Sequence, residues 1–440
     1  MKLNIKLYYK YFFILSLVWI TIDGVFRKWL LPNLSSQLFI VKYLLFSISY
    51  FLLLLQNHKF KSTKSTYQIL ILSLSFWCFF QIINNPYNAP LLVLVFGIIT
   101  YLFFIPLTFS IPKIFTSLTS FERFTNYIAY LSIPIFAIGI MQYYLPVDHA
   151  LNYLVNADQL ANKVGGFTRS LSIFTFVKIY DVYLIFCLTL FISYIYYLSY
   201  IGKSIKFISV LLGFGVINLI MTGSRLQVFQ LGFNAIIISF FVYFKIPQLR
   251  KHILILLLFS SLLAIIFYNT STTVQESTDA FTNRVEQTEK VGESGKAGYT
   301  AKDRVYDRVN IFAFSDYSGW LGLGIGTTYQ GTGNFLKDKI PEIYYEEEGE
   351  RIVLELGIVG GIIMILLRLS IFLYALNVLL KMKHIKYIIF SIPFVLYLFP
   401  PIFFLTNVTF NYFDGFAYWL SFSLLLALEK SYINTILSTK

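Results

Sequence analysis

Residues 205–244 read IKFISVLLGFGVINLIMTGSRLQVFQLGFNAIIISFFVYF. Two apolar runs, 205–222 and 226–244, meet at the tight turn Thr222-Gly223-Ser224-Arg225. Each run approaches the ~20 residues that cross a bilayer as an α-helix. The stretch therefore reads as a pair of antiparallel membrane helices joined at one face of the bilayer. Outward from this pair, apolar runs recur from residue 8 to residue 429. Of the 440 residues, 57% are hydrophobic and only 13% charged, and the mean hydropathy is +0.69. A soluble domain of this size does not have that composition. The long runs also lack the alternation of an outer-membrane barrel. The fold class is all-α, a polytopic integral membrane protein.

The hydropathy pattern gives about twelve spans, at 8–26, 36–56, 66–84, 90–111, 127–146, 178–200, 205–222, 226–244, 253–268, 352–376, 386–405 and 415–429. Spans one to nine occupy 1–268, a large loop occupies 269–351, and spans ten to twelve occupy 352–440. The first apolar run lacks a small-residue cleavage site and reads as a retained span. With the N-terminus in the cytoplasm, every inner segment is basic: Lys59/Lys61/Lys64, Lys113/Arg123, Lys203/Lys206, Lys245/Arg250/Lys251 and Lys381/Lys383/Lys386. That is the positive-inside pattern, with both termini cytoplasmic.

The net charge of +13 is mostly these anchoring lysines, so it does not point to nucleic acid. Cys78 and Cys187 both lie within apolar spans, which argues against a disulfide or a zinc site. Three of the four histidines fall in inner loops, leaving His149 alone on the outer side. The sequence carries no fixed-period repeat, no nucleotide-binding P-loop and no metalloprotease or hydrolase motif. No metal and no cofactor is expected.

Arginine breaks the rule that lysine obeys. Arg27, Arg169, Arg225, Arg304, Arg308 and Arg351 all fall on the outer side, at span ends or in outer loops. Guanidinium groups grip phosphate or carboxylate with two parallel bonds, so a cluster kept against the topological bias suggests an anionic ligand. In Thr222-Gly223-Ser224-Arg225 the glycine permits close backbone approach and the hydroxyls can donate to an anion; the other reading is an ordinary turn with a snorkelling arginine. Arg304 and Arg308, spaced i, i+4, face one side of a helix. They either bracket a diphosphate or pair with Asp303 and Asp307 in a solvated network. Asp23 and Arg27, spaced alike on the first span with Trp29 and Pro32 beyond, read as a structural anchor.

Two outer loops are unusually long, 146–178 and 269–351, against roughly two to six residues for compact connections. The second begins polar and then turns half apolar, through DRVYDRVNIFAFSDYSGWLGLGIG, before IPEIYYEEEGERIVLELG re-enters the membrane. Glu346, Glu347, Glu348 and Glu350 precede Arg351 there, and Glu355 follows one turn deeper. Carboxylates in that position either complement a helix N-terminus or take a proton from a sugar hydroxyl. Glu355, being deeper, needs a partner. Trp320 and nearby tyrosines are suited to stacking on sugar rings.

Five segments in this order resemble the bacterial O-antigen polymerase/ligase superfamily of membrane glycosyltransferases: DGVFRKWLLP; PIFAIGIMQYYLPVDHALN leading to GGFTRSLSIFTF; MTGSR; RVYDRVNIF followed by GWLGLGIG; and ERIVLELGIVGG. The resemblance covers roughly residues 10–370. It implies a glycan donor on polyprenyl diphosphate, a lipid-linked glycan acceptor, and no metal or nucleotide sugar. Arg225, Arg304 and Arg308 with Glu346 and Glu347 are then the expected catalytic set. Arg169, Arg351, Trp320 and Glu355 are the expected substrate contacts. Many members, ligases especially, carry a histidine-asparagine pair where this chain has Glu346 and Glu347, which favours polymerase over ligase and a carboxylate base over histidine. A flippase of lipid-linked oligosaccharide is the non-enzyme alternative, and a chain-length regulator is a partner left open.

Overall fold

A computed structural model describes residues 5–56, 65–155, 163–164, 167–250, 315–329 and 347–438. The helices are α1 (Ile5–Val25), α2 (Ser35–Leu54), α3 (Thr66–Ile83), α4 (Leu91–Leu102), α5 (Leu107–Ile114), α6 (Leu118–Tyr144), α7 (Val177–Tyr200), α8 (Lys206–Met221), α9 (Arg225–Lys245), α10 (Glu348–Lys381), α11 (Ile385–Leu398) and α12 (Tyr412–Ser438). Among the described residues, eight helices are long and apolar enough to cross a membrane, or nine if the bent pair α4–α5 forms one span. The protein is a membrane-embedded helical bundle. The one β pairing among the described residues is Lys163–Val164 with Phe167–Thr168.

The sequence pattern and the helices differ in instructive places. The 90–111 run is two helices bent by 46°, with Pro106 at the α5 N-cap. The short apolar helix α8 has 16 residues. The run at 386–405 is the 14-residue α11, which gives way to a 3-10 turn at Pro400–Phe403. Proline removes the N–H that would continue such a helix. The last run sits within the 27-residue α12, which is not among the eight. The 253–268 run lies outside the described residues, as does most of 269–351.

Helix α7 is the axis of the bundle. Its apolar stretch is 89% enclosed, against 22% for those of α2 and α3. With no water to hide from in the bilayer, that enclosure reflects packing of helix on helix. Connections alternate between two ends. At one end Lys203 pairs with Glu122 at 3.7 Å and Lys430 donates to the Pro112 carbonyl at 3.3 Å. This end also holds Lys113, Lys245 and Lys381. At the other end the segment 168–175 dips between the helices and is buried apart from the half-buried Arg169. Gln142 clamps it: Oε1 accepts from the Leu171 and Ser172 amides at 3.1 and 2.6 Å, and Nε2 donates to the Leu151 and Ser172 carbonyls at 2.6 and 2.9 Å. Lys28 donates to the Ser172 and Phe174 carbonyls at 2.9 and 3.2 Å. Gly24 makes room, because a Cβ there would collide with the Ile173 carbonyl. A buried loop must have its backbone groups satisfied, and these side chains do that.

Candidate functional site

The α8–α9 turn sits against this dipping segment. Gly223 has φ +68, a backbone state that glycine enters without strain. Arg169 reaches across, donating from Nε to the Thr222 carbonyl at 2.7 Å and from a terminal nitrogen to Ser224 Oγ at 3.1 Å. The Ser170 amide donates to the Met221 carbonyl at 3.2 Å. Ser224 Oγ in turn donates to Asp181 Oδ2 at 2.5 Å. Asp181 stands in the second turn of α7, only 2% exposed. Its other oxygen, Oδ1, has no hydrogen-bond partner among the described residues. Arg225 is the first residue of α9.

A second arginine site forms where α10 breaks. Gly357 has φ 70 and ψ −178, so the helix divides into arms 348–356 and 358–381. A continuous helix would hold Glu348 and Arg368, twenty residues apart, roughly 30 Å from each other. They instead form a two-bond ion pair at 2.9 and 2.7 Å. The short arm must therefore fold back along the long one as a re-entrant helix.

The sequence Gly319-Trp-Leu-Gly-Leu-Gly-Ile-Gly326 fills the break and satisfies the backbone groups it frees. The Leu323 and Gly324 amides donate to the Leu354 and Glu355 carbonyls at 2.7 and 3.2 Å, and the Ile358 and Val359 amides donate to the Gly319 and Trp320 carbonyls at 3.1 and 3.4 Å. Trp77 Nε1 donates to the Leu356 carbonyl at 2.9 Å. Irregular backbone survives in a membrane only where protein supplies such partners. Gly322, Gly324 and Gly326 have φ of +84, +103 and +82, which explains the glycine-every-second-residue pattern.

The charged groups around the break are engaged. Glu355 is 0% exposed. It accepts from the Gly326 and Thr328 amides at 3.0 and 2.9 Å and from Thr328 Oγ1 at 2.7 Å. Arg351 donates to Thr328 Oγ1 at 3.2 Å and to the Thr328 carbonyl at 2.6 Å, and lies 3.7 Å over the Phe410 ring. Arg368 also donates to the Pro401 carbonyl and Thr409 Oγ1 at 2.8 and 3.1 Å. Glu347 is the N-cap of α10 and shares a capping box with Glu350. Trp320 is 67% exposed.

A third group surrounds Asp23. Its Oδ2 takes Lys42 at 3.1 Å and Arg27 at 3.6 Å, so the sequence pair Asp23–Arg27 is an ion pair that also holds a buried lysine from α2. Lys42 lies 3.7 and 3.4 Å over the Phe39 and Tyr412 rings. Beside it, a chamber of about 40 Å³ is lined by Phe39, Tyr43, Thr100, Tyr329, Thr409 and Tyr412. Burial raises the Tyr329 hydroxyl pKa, and the nearby guanidinium groups of Arg27 and Arg351 oppose that rise. Such a chamber has room for ordered water, not for a glycan diphosphate.

The expected residues thus fall in separate places. Arg169 meets the Arg225 turn, while Arg351, Glu355, Glu347 and Trp320 belong to the α10 break. The Arg225 side chain and all of Arg304, Arg308 and Glu346 lie outside the described residues. Sequence reading passed over Asp181, Lys42 and Arg368. Each is an ionisable residue inside an apolar run, a signal that by itself marks a needed partner. No protein-family model and no curated protein matches this chain.

Proposed function

We propose that this chain is a membrane glycosyltransferase of the O-antigen polymerase kind. It joins polyprenyl-diphosphate-linked repeat units into a surface polysaccharide at the outer face of a bacterial inner membrane, with both termini cytoplasmic. The observation that carries the reading is the α8–α9 turn. There a long apolar helix opens with Arg225 on a glycine turn braced by Arg169. Backbone N–H groups at a helix start favour an anion, which suits a turn that opens with arginine to a lipid diphosphate. The ordered motifs and the lysine-rich loops facing the other way support the same orientation.

In the reaction, an acceptor sugar hydroxyl attacks the donor's anomeric carbon. The bond from that carbon to the phosphate oxygen breaks, and its electron pair leaves with the diphosphate. Arg225, together with Arg304 and Arg308, stabilises the charge that grows on the leaving oxygen, the term that usually dominates such catalysis. The acceptor's proton goes to a carboxylate. Glu348 and Glu355 are excluded from that task because Arg368 and the loop amides already occupy them. The base role in this scheme then rests with Glu346, because Glu347 is occupied as the N-cap of α10 in its capping box with Glu350. Arg351 and Arg169 act on the loops that shape the site, and Trp320 offers an exposed ring to the glycan.

The test is deletion in the native host followed by sizing of the surface glycan. A single repeat left on the carrier supports polymerisation. Full-length glycan stranded on its lipid carrier means a ligase, and untranslocated repeats mean a flippase; either result overturns the proposal.

A further inference from the structure

Helix α9 packs on α11, and α11 packs on α10. Where the three meet, an open groove of about 190 Å³ runs along the bundle. Phe233 and Phe241 line it from α9, Phe372 and Leu376 from α10, and Ile392 from α11, with Phe399 just beyond that helix. Its walls are wholly apolar. A cavity of ~150 Å³ with such walls holds a benzene ring, so this groove has room for a stretch of hydrocarbon chain. Left empty, its walls would lose their dispersion contacts on one side.

The two ends of the groove differ. Toward Arg225 it is capped by three rings: Phe399 stacks on Phe233 at 6.2 Å and meets Phe372 at 5.4 Å. Toward the lysine-rich end, Phe241 and Ile392 continue into a narrow seam between α9 and α11 that reaches Lys245 and Ile385. Phe233 and Lys245 both lie on α9, twelve residues apart, which is ~18 Å of helix. One leaflet of a ~30 Å hydrocarbon core is ~15 Å deep. The groove is therefore about as deep as one leaflet, and that leaflet is the one the lysines face.

The lysine-rich end carries uncompensated charge. Lys245, Lys383 and Lys386 are exposed. Ion pairs among the described residues use Arg27, Lys42, Lys203 and Arg368, which leaves these three lysines without a carboxylate there. The carboxylates at this end are taken, Glu122 by Lys203 and Glu429 by the Tyr374 hydroxyl at 2.9 Å.

We infer that an anionic phospholipid of that leaflet is a bound partner of this chain. One acyl chain lies in the α9–α10–α11 groove, and the phosphate sits among Lys245, Lys383 and Lys386. Basic clusters at the membrane surface attract anionic lipids in general; the groove turns that attraction into a fixed seat. The inference goes beyond the glycosyltransferase reading and does not rest on it. The donor's polyprenyl tail suits the groove less well, because its diphosphate would enter from the opposite end, beyond the three rings.

The test is native mass spectrometry of the full-length protein in detergent, titrated with phosphatidylglycerol or with phosphatidylethanolamine carrying the same chains. Wild type should bind the first phosphatidylglycerol at least tenfold more tightly. Each lysine beside an anionic lipid is worth roughly fivefold in affinity, so Lys245→Gln/Lys383→Gln/Lys386→Gln should erase the preference. Leu376→Trp fills the groove and should weaken both lipids with the lysines intact. Equal binding of the two lipids by wild type, or a preference kept in the lysine variant, overturns the inference. So does unchanged lipid binding in Leu376→Trp. Combined with a lower unfolding midpoint, that result assigns the groove to the chain's own apolar run 253–268, which lies outside the described residues; combined with loss of a two-chain species, it assigns the groove to a second copy. Undecaprenyl phosphate that displaces phosphatidylglycerol and binds the lysine variant as tightly as wild type also overturns the inference, in favour of a polyprenyl tail.

Discussion

The break in α10 and the α8–α9 turn use the same chemistry to opposite ends. At the break, Arg368, Glu348, Arg351 and Glu355 have hydrogen-bond partners within the chain, and the loop amides complete the set. At the turn, a buried carboxylate keeps one oxygen unpartnered among the described residues, and a serine in cap position leaves its helix uncapped. Satisfied charges in a membrane hold architecture, and an unsatisfied arrangement kept beside them is where a ligand is expected. Under the proposed function, the break holds the architecture and the turn holds the ligand.

The largest effect should come from breaking the satisfied region. Arg368→Ala leaves Glu348 buried without its partner, a change that costs about 3–5 kcal/mol. Thermal unfolding in detergent should show a large fall in midpoint, and an unchanged midpoint would remove the ion pair from the account. Gly357→Ala comes next. A Cβ there meets the Trp320 carbonyl and the Leu321 carbonyl carbon in a backbone state with φ 70, at about 1–3 kcal/mol for the strained backbone. Hydrogen exchange should show lost protection at the Leu323 and Ile358 amides. Retained protection would mean that the loop does not depend on the break.

Arg169→Ala sharpens the other side of the comparison. It removes two hydrogen bonds to the turn, at about 1 kcal/mol each, so the unfolding midpoint should move much less than for Arg368→Ala. Polysaccharide length should nevertheless shorten in a complemented deletion strain. Full-length polymer from protein at normal abundance would show that bracing the turn is irrelevant to function.

How far the sequence could be read follows the same division. Apolar length alone located most of the described helices, because crossing a bilayer demands it. Helix breaks were less legible. The glycines of 319–326 stand out in the sequence, but their use in plugging a re-entrant helix depends on a partner more than twenty residues later, at Leu354 and Glu355. Asp23 and Arg27 could be paired from spacing, whereas Lys42, the other cation on Asp23, comes from the next helix. Arg169 was flagged on its own, and only the folded loop brings it to Thr222 and Ser224. Asp181 was visible as an ionisable residue inside an apolar run, but its partner Ser224 comes from the start of another helix. Local periodicity reports faces of one helix, and these contacts join different helices.

The central claim is that the α8–α9 turn holds a diphosphate leaving group during polymer growth. It is tested most directly by reconstituting the purified protein in liposomes with a polyprenyl-diphosphate-linked repeat unit and resolving the products by size. Wild-type protein should build a ladder of lengthening glycans on the lipid carrier and release polyprenyl diphosphate with each addition. Arg225→Ala, incorporated to the same level, should leave the single repeat unextended. A ladder of unchanged length and rate from Arg225→Ala would contradict the account.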